Sequence, residues 1–126
     1  MIAIGIGCKK GCPAQRIVAL VRTARASIDD AGAPATLFTL ADKQGETGLH
    51  DAAQELGLPL VFLDAEILRQ ASGRAITRSD RVMAMFGLPS IAETAALAGA
   101  GPASILLAPR VSEAGASCAI AGSREP

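Results

Sequence analysis

Apolar and polar positions along the chain follow two periods, one near 2 and one near 3.6. Ile2, Ala3, Ile4 and Ile6 make a short, nearly continuous apolar run, which predicts a buried first strand over Ile2 to Gly7. Ile17, Val21, Ala24 and Ile28 then recur at helical spacing, with Arg16, Arg22 and Arg25 mostly off that stripe. They predict a first helix that Gly32 and Pro34 end. Ala35 to Leu40 is rich in β-favouring residues and reads as a second strand, followed by a polar loop from Asp42 to Glu46. Leu49, Ala52, Ala53 and Leu56 mark a second helix, stopped by Gly57 with Pro59 beyond it. Leu60 to Leu63 is a short buried strand, and Asp64 is placed to cap the helical turn Ala65 to Gln70.

The second half is less regular. Residues 71 to 78 lack a period and are expected to form an exposed, mobile connection. Ser79 or Asp80 caps a short helix through Phe86, stopped by Gly87 and Pro89. Ser90 with Glu93 three residues on matches the capping box, opening an alanine-rich helix to about Ala98. Ser104 to Ala108 and Ser117 to Ala121 read as closing strands, and the short link Pro109 to Ala116 favours an antiparallel hairpin. Residues 122 to 126 read as a frayed tail. The alternation predicts one α/β domain over residues 1–126. It is expected as a three-layer α/β/α sandwich with a mostly parallel sheet of about five strands and an antiparallel C-terminal hairpin.

Composition narrows the function more than the fold. A chain of 126 residues, half of them apolar and 19% charged, can bury roughly two-thirds of its unfolded surface and is not disordered. Twelve basic residues balance twelve acidic ones, so no global field draws the chain to nucleic acid or to an anionic membrane. Three Phe with no Trp or Tyr offer no stacking platform for bases. Neither nucleic acid nor a membrane is expected as a partner. The apolar N-terminal stretch lacks a basic segment before it and reads as a strand, not a signal peptide. Three cysteines in that setting fit reduced thiols and a cytoplasmic location. No metal or other cofactor is expected, since Cys8 and Cys12 are too few for a zinc site and His50 and Cys118 lie far away in sequence.

Candidate chemistry gathers at the predicted strand ends. Gly5-Ile6-Gly7-Cys8-Lys9-Lys10-Gly11 joins the first strand to the first helix, where glycines let backbone approach a ligand and lysines add positive charge. In an open α/β sheet, ligands gather outside the carboxyl ends of parallel strands. Lys9 and Lys10, Lys43, and Arg110 each fall in a loop expected at that edge. Three loops carrying cations predict a shared pocket for a molecule bearing several carboxylates or phosphates. A dinucleotide fits less well, because Lys10 stands where the third glycine of that fingerprint belongs, although Asp42 follows the second strand. Cys8 has two readings: a thiol whose pKa the lysines and helix N-terminus lower, or a small packing residue, which is preferred. Glu46 either orients a ligand or transfers protons, or else serves the positive end of the helix it opens. Ser79, Ser90 and Glu93 have local capping explanations, and His50 reads as a surface residue.

The chain also resembles a known family, that of the cobalamin-biosynthesis proteins CobE and the C-terminal domain of CbiG. The likeness rests on Gly5 to Gly11, then on Lys43, Glu46, Gly48 and Leu49. It continues in Ser79 and Val82 and in Gly87-Leu88-Pro89-Ser90-Ile91-Ala92-Glu93 with Ala95-Ala96-Leu97. Leu106 to Arg110, Gly115 and Ala119-Ile120-Ala121 close it, so that it spans residues 2 to 122. Arg110 departs from the lysine usual in the family; the charge is kept while the contact geometry changes. The resemblance implies a protein that binds a precorrin or other corrin-pathway tetrapyrrole, acting as carrier or accessory at the ring-contraction stage alongside other cobalamin-pathway enzymes. An alternative it implies is a lactone hydrolase or lyase of CbiG type that releases a two-carbon fragment, with Lys43 or Glu46 as proton-transfer candidates; no catalytic residue is assigned. Gly5, Gly7, Cys8, Lys9, Lys10, Gly11, Lys43, Glu46, Ser90, Glu93 and Arg110 are the expected binding residues.

Overall fold

Residues 2–28 and 33–123 are described by the computed structural model. In chain order they form β1 (Ile2–Cys8), α1 (Ala14–Ala26), β2 (Ala35–Leu40), α2 (Thr47–Leu56), β3 (Leu60–Leu63) and α3 (Ala65–Gln70). Then come α4 (Asp80–Phe86), α5 (Ile91–Ala100), β4 (Ser104–Glu113) and β5 (Ala116–Ser123). The five strands make one mixed sheet in the order β3-β2-β1-β5-β4. β3, β2 and β1 pair in parallel, while β5 lies antiparallel between β1 and β4. Four strands therefore point the same way, and their carboxyl ends share one edge.

The two faces of β1 are built differently. Ile2, Ile4 and Ile6 point into a cluster with Ile17, Val18 and Val21 of α1, Leu49 and Ala52 of α2, and Cys118 and Ile120 of β5. On the other face stand Ala3, Gly5 and Gly7, facing the alanine-rich α5. A methyl group on Gly5 would overlap the carbonyl oxygen of Ala92 and sit 2.6 Å from the nitrogen of Ala96. The absent Cβ is what lets the α5 backbone lie directly on the strand. Ala119 and Ala121 of β5 join Ala92 and Ala96 in the same layer of small side chains, with Leu97 packed in the same cluster.

Several expectations change on contact with the structure. α1 ends at Ala26 with Ser27 as its cap, and Gly32 lies outside the described residues. Asp64 sits at the N-cap position of α3 but makes no side-chain cap bond, only the backbone ones through its carbonyl. Residues 71 to 78 are tied down, not loose: Arg74 donates to the Ser104 carbonyl at 2.6 Å, and the amides of Ile76 and Thr77 donate to Glu93. Ser79 caps α4 by accepting from the Val82 amide, and Gly87 ends it in the left-handed region.

The closing hairpin is longer than expected. β4 runs on to Glu113, with register shifts between Leu106 and Ala108 and between Ala108 and Val111 that absorb Pro109 and Arg110. Only Ala114 (φ 49°) and Gly115 (φ 91°) remain in the turn, both in the left-handed region that suits a tight hairpin. Arg110 thus belongs to a bulged strand, not to a loop. β5 pairs as far as Ser123, so Gly122 and Ser123 of the expected tail are in the sheet, and residues 124–126 lie outside the described residues.

Candidate functional site

The shared carboxyl edge is a cleft of about 670 Å3. Gly7, Cys8, Lys9 and Lys10 reach it from the end of β1, and Asp42, Lys43 and Glu46 from the connection after β2. Arg110, Ser112 and Glu113 line it from β4, and residues 114–117 from the hairpin turn and the start of β5. The fourth wall is α4, which contributes Arg81, Val82, Met85 and Phe86 beside Ile91 of α5. Five cationic side chains and three carboxylates face this space in a chain whose formal charge is zero. The positive excess is local to this cleft.

Backbone bonds fix the loops to one another. The Lys9 amide donates to the Gly115 carbonyl at 2.7 Å, joining the β1 loop to the hairpin turn. The Gly11 amide donates to Glu46 Oε1 at 2.7 Å, joining the same loop to the one after β2. Glu46 is therefore a brace between loops as well as a cleft residue. Lys43 Nζ rests 5.9 Å from the centre of the Phe86 ring, a cation–π contact across the cleft between β2's connection and α4.

Seven of the expected residues line the cleft: Gly7, Cys8, Lys9, Lys10, Lys43, Glu46 and Arg110. Four do not. Gly5 is under α5, and Gly11 is outside the lining, touching it only through Glu46. Ser90 is fully buried and caps α5 by accepting from the Glu93 amide at 3.1 Å. Glu93 is fully buried too, and its carboxylate accepts from the amides of Ile76, Thr77 and Arg110. The N-terminus of α1, to which the glycine turn leads, is likewise absent from the lining. His50 stays exposed on α2, with its ring Nε2 2.8 Å from the Gln44 carbonyl oxygen and 5.6 Å between its ring centre and that of Phe62.

The α4 wall was not foreseen from the sequence. No residue of α4 is buried, and Met85 is 60% exposed. Val82, Met85 and Phe86 fall at i, i+3 and i+4, a stripe spent on the cleft, with Val82 and Phe86 also touching the core cluster. A short helix with so complete a stripe and no long neighbour to cover it was the available signal.

Cys8 is not an activated thiol. Burial pushes its pKa up to about 11, against a smaller lowering by the Lys43 charge. Burial likewise raises Cys12, and Cys118 to about 12. Alkylation of Cys8 by iodoacetamide at pH 8 should run at about one-hundredth the rate of an unperturbed thiol, and climb until the pH nears 11. Peptide mapping of the alkylated protein checks this; a rate equal to that of free cysteine would contradict it. Among the described residues, no group of three or more His, Cys, Asp or Glu side chains is placed to hold a metal ion, and no single helix is long and apolar enough to cross a membrane.

The family model described as the cobalamin synthesis G C-terminus matches residues 2–121. The chain belongs to this CbiG C-terminal family. It is 35% identical over 125 residues to the protein CobE of Sinorhizobium sp, covering 96% of this chain and 79% of that one. The crystal structure of CobE, described as a protein from the cobalamin (vitamin B12) biosynthetic pathway, superposes with a TM-score of 0.85 at 30% identity. That match covers 96% of this chain and 89% of the crystallised chain. A second crystal structure, the cobalamin biosynthesis protein chiG from Agrobacterium tumefaciens str. C58, gives a TM-score of 0.74 at 30% identity. It covers 99% of this chain and all of that one. This CbiG C-terminal chain is a protein of cobalamin biosynthesis. Of the blocks that carried the resemblance, those around Lys9, Lys43 and Arg110 face the cleft, whereas Ser90 to Leu97 is buried and reaches the lining through Ile91 alone.

Proposed function

We propose that the cleft binds a precorrin-type tetrapyrrole through the carboxylates on its rim, and that the protein acts as carrier or accessory at the ring-contraction stage of corrin synthesis. The observation that carries this reading is the convergence of Lys9, Lys10, Lys43, Arg81 and Arg110, from four separate segments, around one cavity with an apolar side. Cations spaced around a rim suit a ligand with several carboxylates distributed around a ring, and Arg110 can grip one of them with two parallel hydrogen bonds. Val82, Met85 and Phe86 offer apolar contact to a macrocycle face. Hand-over of such a ligand would make other cobalamin-pathway enzymes its partners, in the cytoplasm. The binding reading gains further support over lactone opening because Glu46 already accepts the Gly11 amide and Lys43 rests against Phe86.

Anaerobic titration with the precorrin intermediates of ring contraction, followed by absorbance, tests the proposal. Saturable binding with an unchanged chromophore is the expected result. A changed spectrum with release of a two-carbon product would replace it with the hydrolase or lyase. Absence of binding to every intermediate would end the proposal.

A further inference from the structure

Glu93 is a buried carboxylate behind the cleft whose oxygens are both engaged away from its own helix end. Oε1 accepts from the amides of Ile76 at 2.9 Å and Thr77 at 2.8 Å, and Oε2 accepts from the Arg110 amide at 3.0 Å. In a capping box the carboxylate would turn back to the Ser90 amide; here only the other half, Ser90 Oγ accepting from the Glu93 amide, is formed. The three donors belong to two different walls. Ile76 and Thr77 lie on the segment that leads through Ser79 into α4, and Arg110 lies in β4.

Each wall needs this carboxylate for a separate reason. The β4 register shift between Ala108 and Val111 removes Arg110 from the ladder, so its amide requires an acceptor elsewhere. α4 buries no residue; Val82 and Phe86 rest on the core cluster and Lys43 lies over Phe86, while the hydrogen bonds that tie it are those of the Ser79 amide to the Pro89 carbonyl at 2.7 Å and of Arg69 to the Phe86 carbonyl at 3.4 Å. The carboxylate itself is anchored, because it projects from α5, whose backbone Gly5 admits onto β1.

We infer that Glu93 is a positioning residue, a clamp that sets the separation between α4 and Arg110 and so the width of the cleft. It touches no ligand and acts through the backbone of both walls. The inference rests on the cleft being the binding site, and extends that reading by naming what holds it at working width.

Glu93→Gln tests it. An amide is the same size but has one acceptor oxygen and an NH2 group that only donates, so it can hold the 76–77 pair or Arg110, not both. The probe is uroporphyrin, a stable tetrapyrrole with only carboxylate side chains. The variant is expected to bind it roughly tenfold more weakly, with exchange of the Arg110 amide or of the Ile76 and Thr77 amides accelerated about tenfold. Its melting midpoint should fall by several degrees, because a buried amide loses its acceptor, while the variant stays folded at the temperature of the titration. Wild-type affinity in the folded variant overturns the inference, as does weakened binding with unaltered exchange at all three amides. Should the variant fail to fold, exchange in the wild-type protein with and without uroporphyrin decides: the ligand should slow these three amides, and no change overturns the clamp. Failure of the wild type to bind uroporphyrin counts against the binding reading alone. The clamp is then judged by whether Glu93→Gln shifts the methyl resonances of Val82 and Met85 together with the Arg110 amide, and static resonances overturn it.

Discussion

Replacing Lys9, Lys10 and Arg110 together by glutamate should weaken tetrapyrrole binding by about a thousandfold. Each reversal removes an attraction to a rim carboxylate and adds a repulsion. At the high effective dielectric of an open cleft, three such changes sum to roughly 4 kcal/mol, which is near three decades in affinity. The cleft then passes from a positive excess to a negative one, since Asp42, Glu46 and Glu113 already line it. The fold should tolerate the change. Lys9 and Lys10 are exposed and Arg110 is half-buried, while the structural bonds at Lys9 and Arg110 are made by their amides, which glutamate retains. Two measurements check the prediction: titration of the triple variant, and the salt dependence of the wild type, whose affinity should fall as ionic strength screens the cations. Binding within threefold of wild type in the variant would show that the cations only solvate the edge.

Gly5→Ala should be the most damaging single methyl in the protein. The added carbon meets backbone on the opposing helix, the carbonyl of Ala92 and the nitrogen of Ala96, so no side-chain rotation can make room. α5 would have to lift from β1, disturbing the buried layer of Ala92, Ala96, Ala119 and Ala121. A loss of about 3 kcal/mol or more is expected, lowering the melting midpoint by about 10 °C. Gly45→Ala is the control: nothing lies within 4 Å of the added carbon there, and its φ is not in the left-handed region. Its stability should stay within about 0.5 kcal/mol of wild type. A Gly5→Ala protein that melts with the control would contradict the close seat of α5.

Much of the fold was legible because its elements carry their own signals. The stripe of Leu49, Ala52 and Ala53 with Gly57 beyond it marked α2, and Ser79 and Ser90 marked the starts of α4 and α5. The cationic edge was legible from topology, since loops at the carboxyl ends of parallel strands must converge. What stayed hidden depends on partners distant in sequence. Gly5-Ile6-Gly7 reads as a ligand loop, and only the arrival of α5 makes Gly5 a seat for a helix. Ser90 with Glu93 reads as a local cap, whereas the carboxylate's partners are three remote amides. Pro109 reads as the end of a strand, because a bulge that accommodates it leaves no local mark. The apolar stripe of α4 was visible, but not that it turns toward the cleft.

The position of β5 also orders events during synthesis. β1 precedes β2 in the chain and pairs with it through residues such as Ile4 with Leu37. Its other edge waits for Ala116 to Gly122, in the strand that follows all the others of the sheet. Until they arrive, the emerging chain displays a bare central strand, Ile2 to Cys8, with half its hydrogen-bonding groups unsatisfied and a flat apolar surface beside them. A ribosome that stalls within β4 therefore releases an adhesive fragment, not a shortened domain, and such fragments are natural substrates for chaperones and proteases.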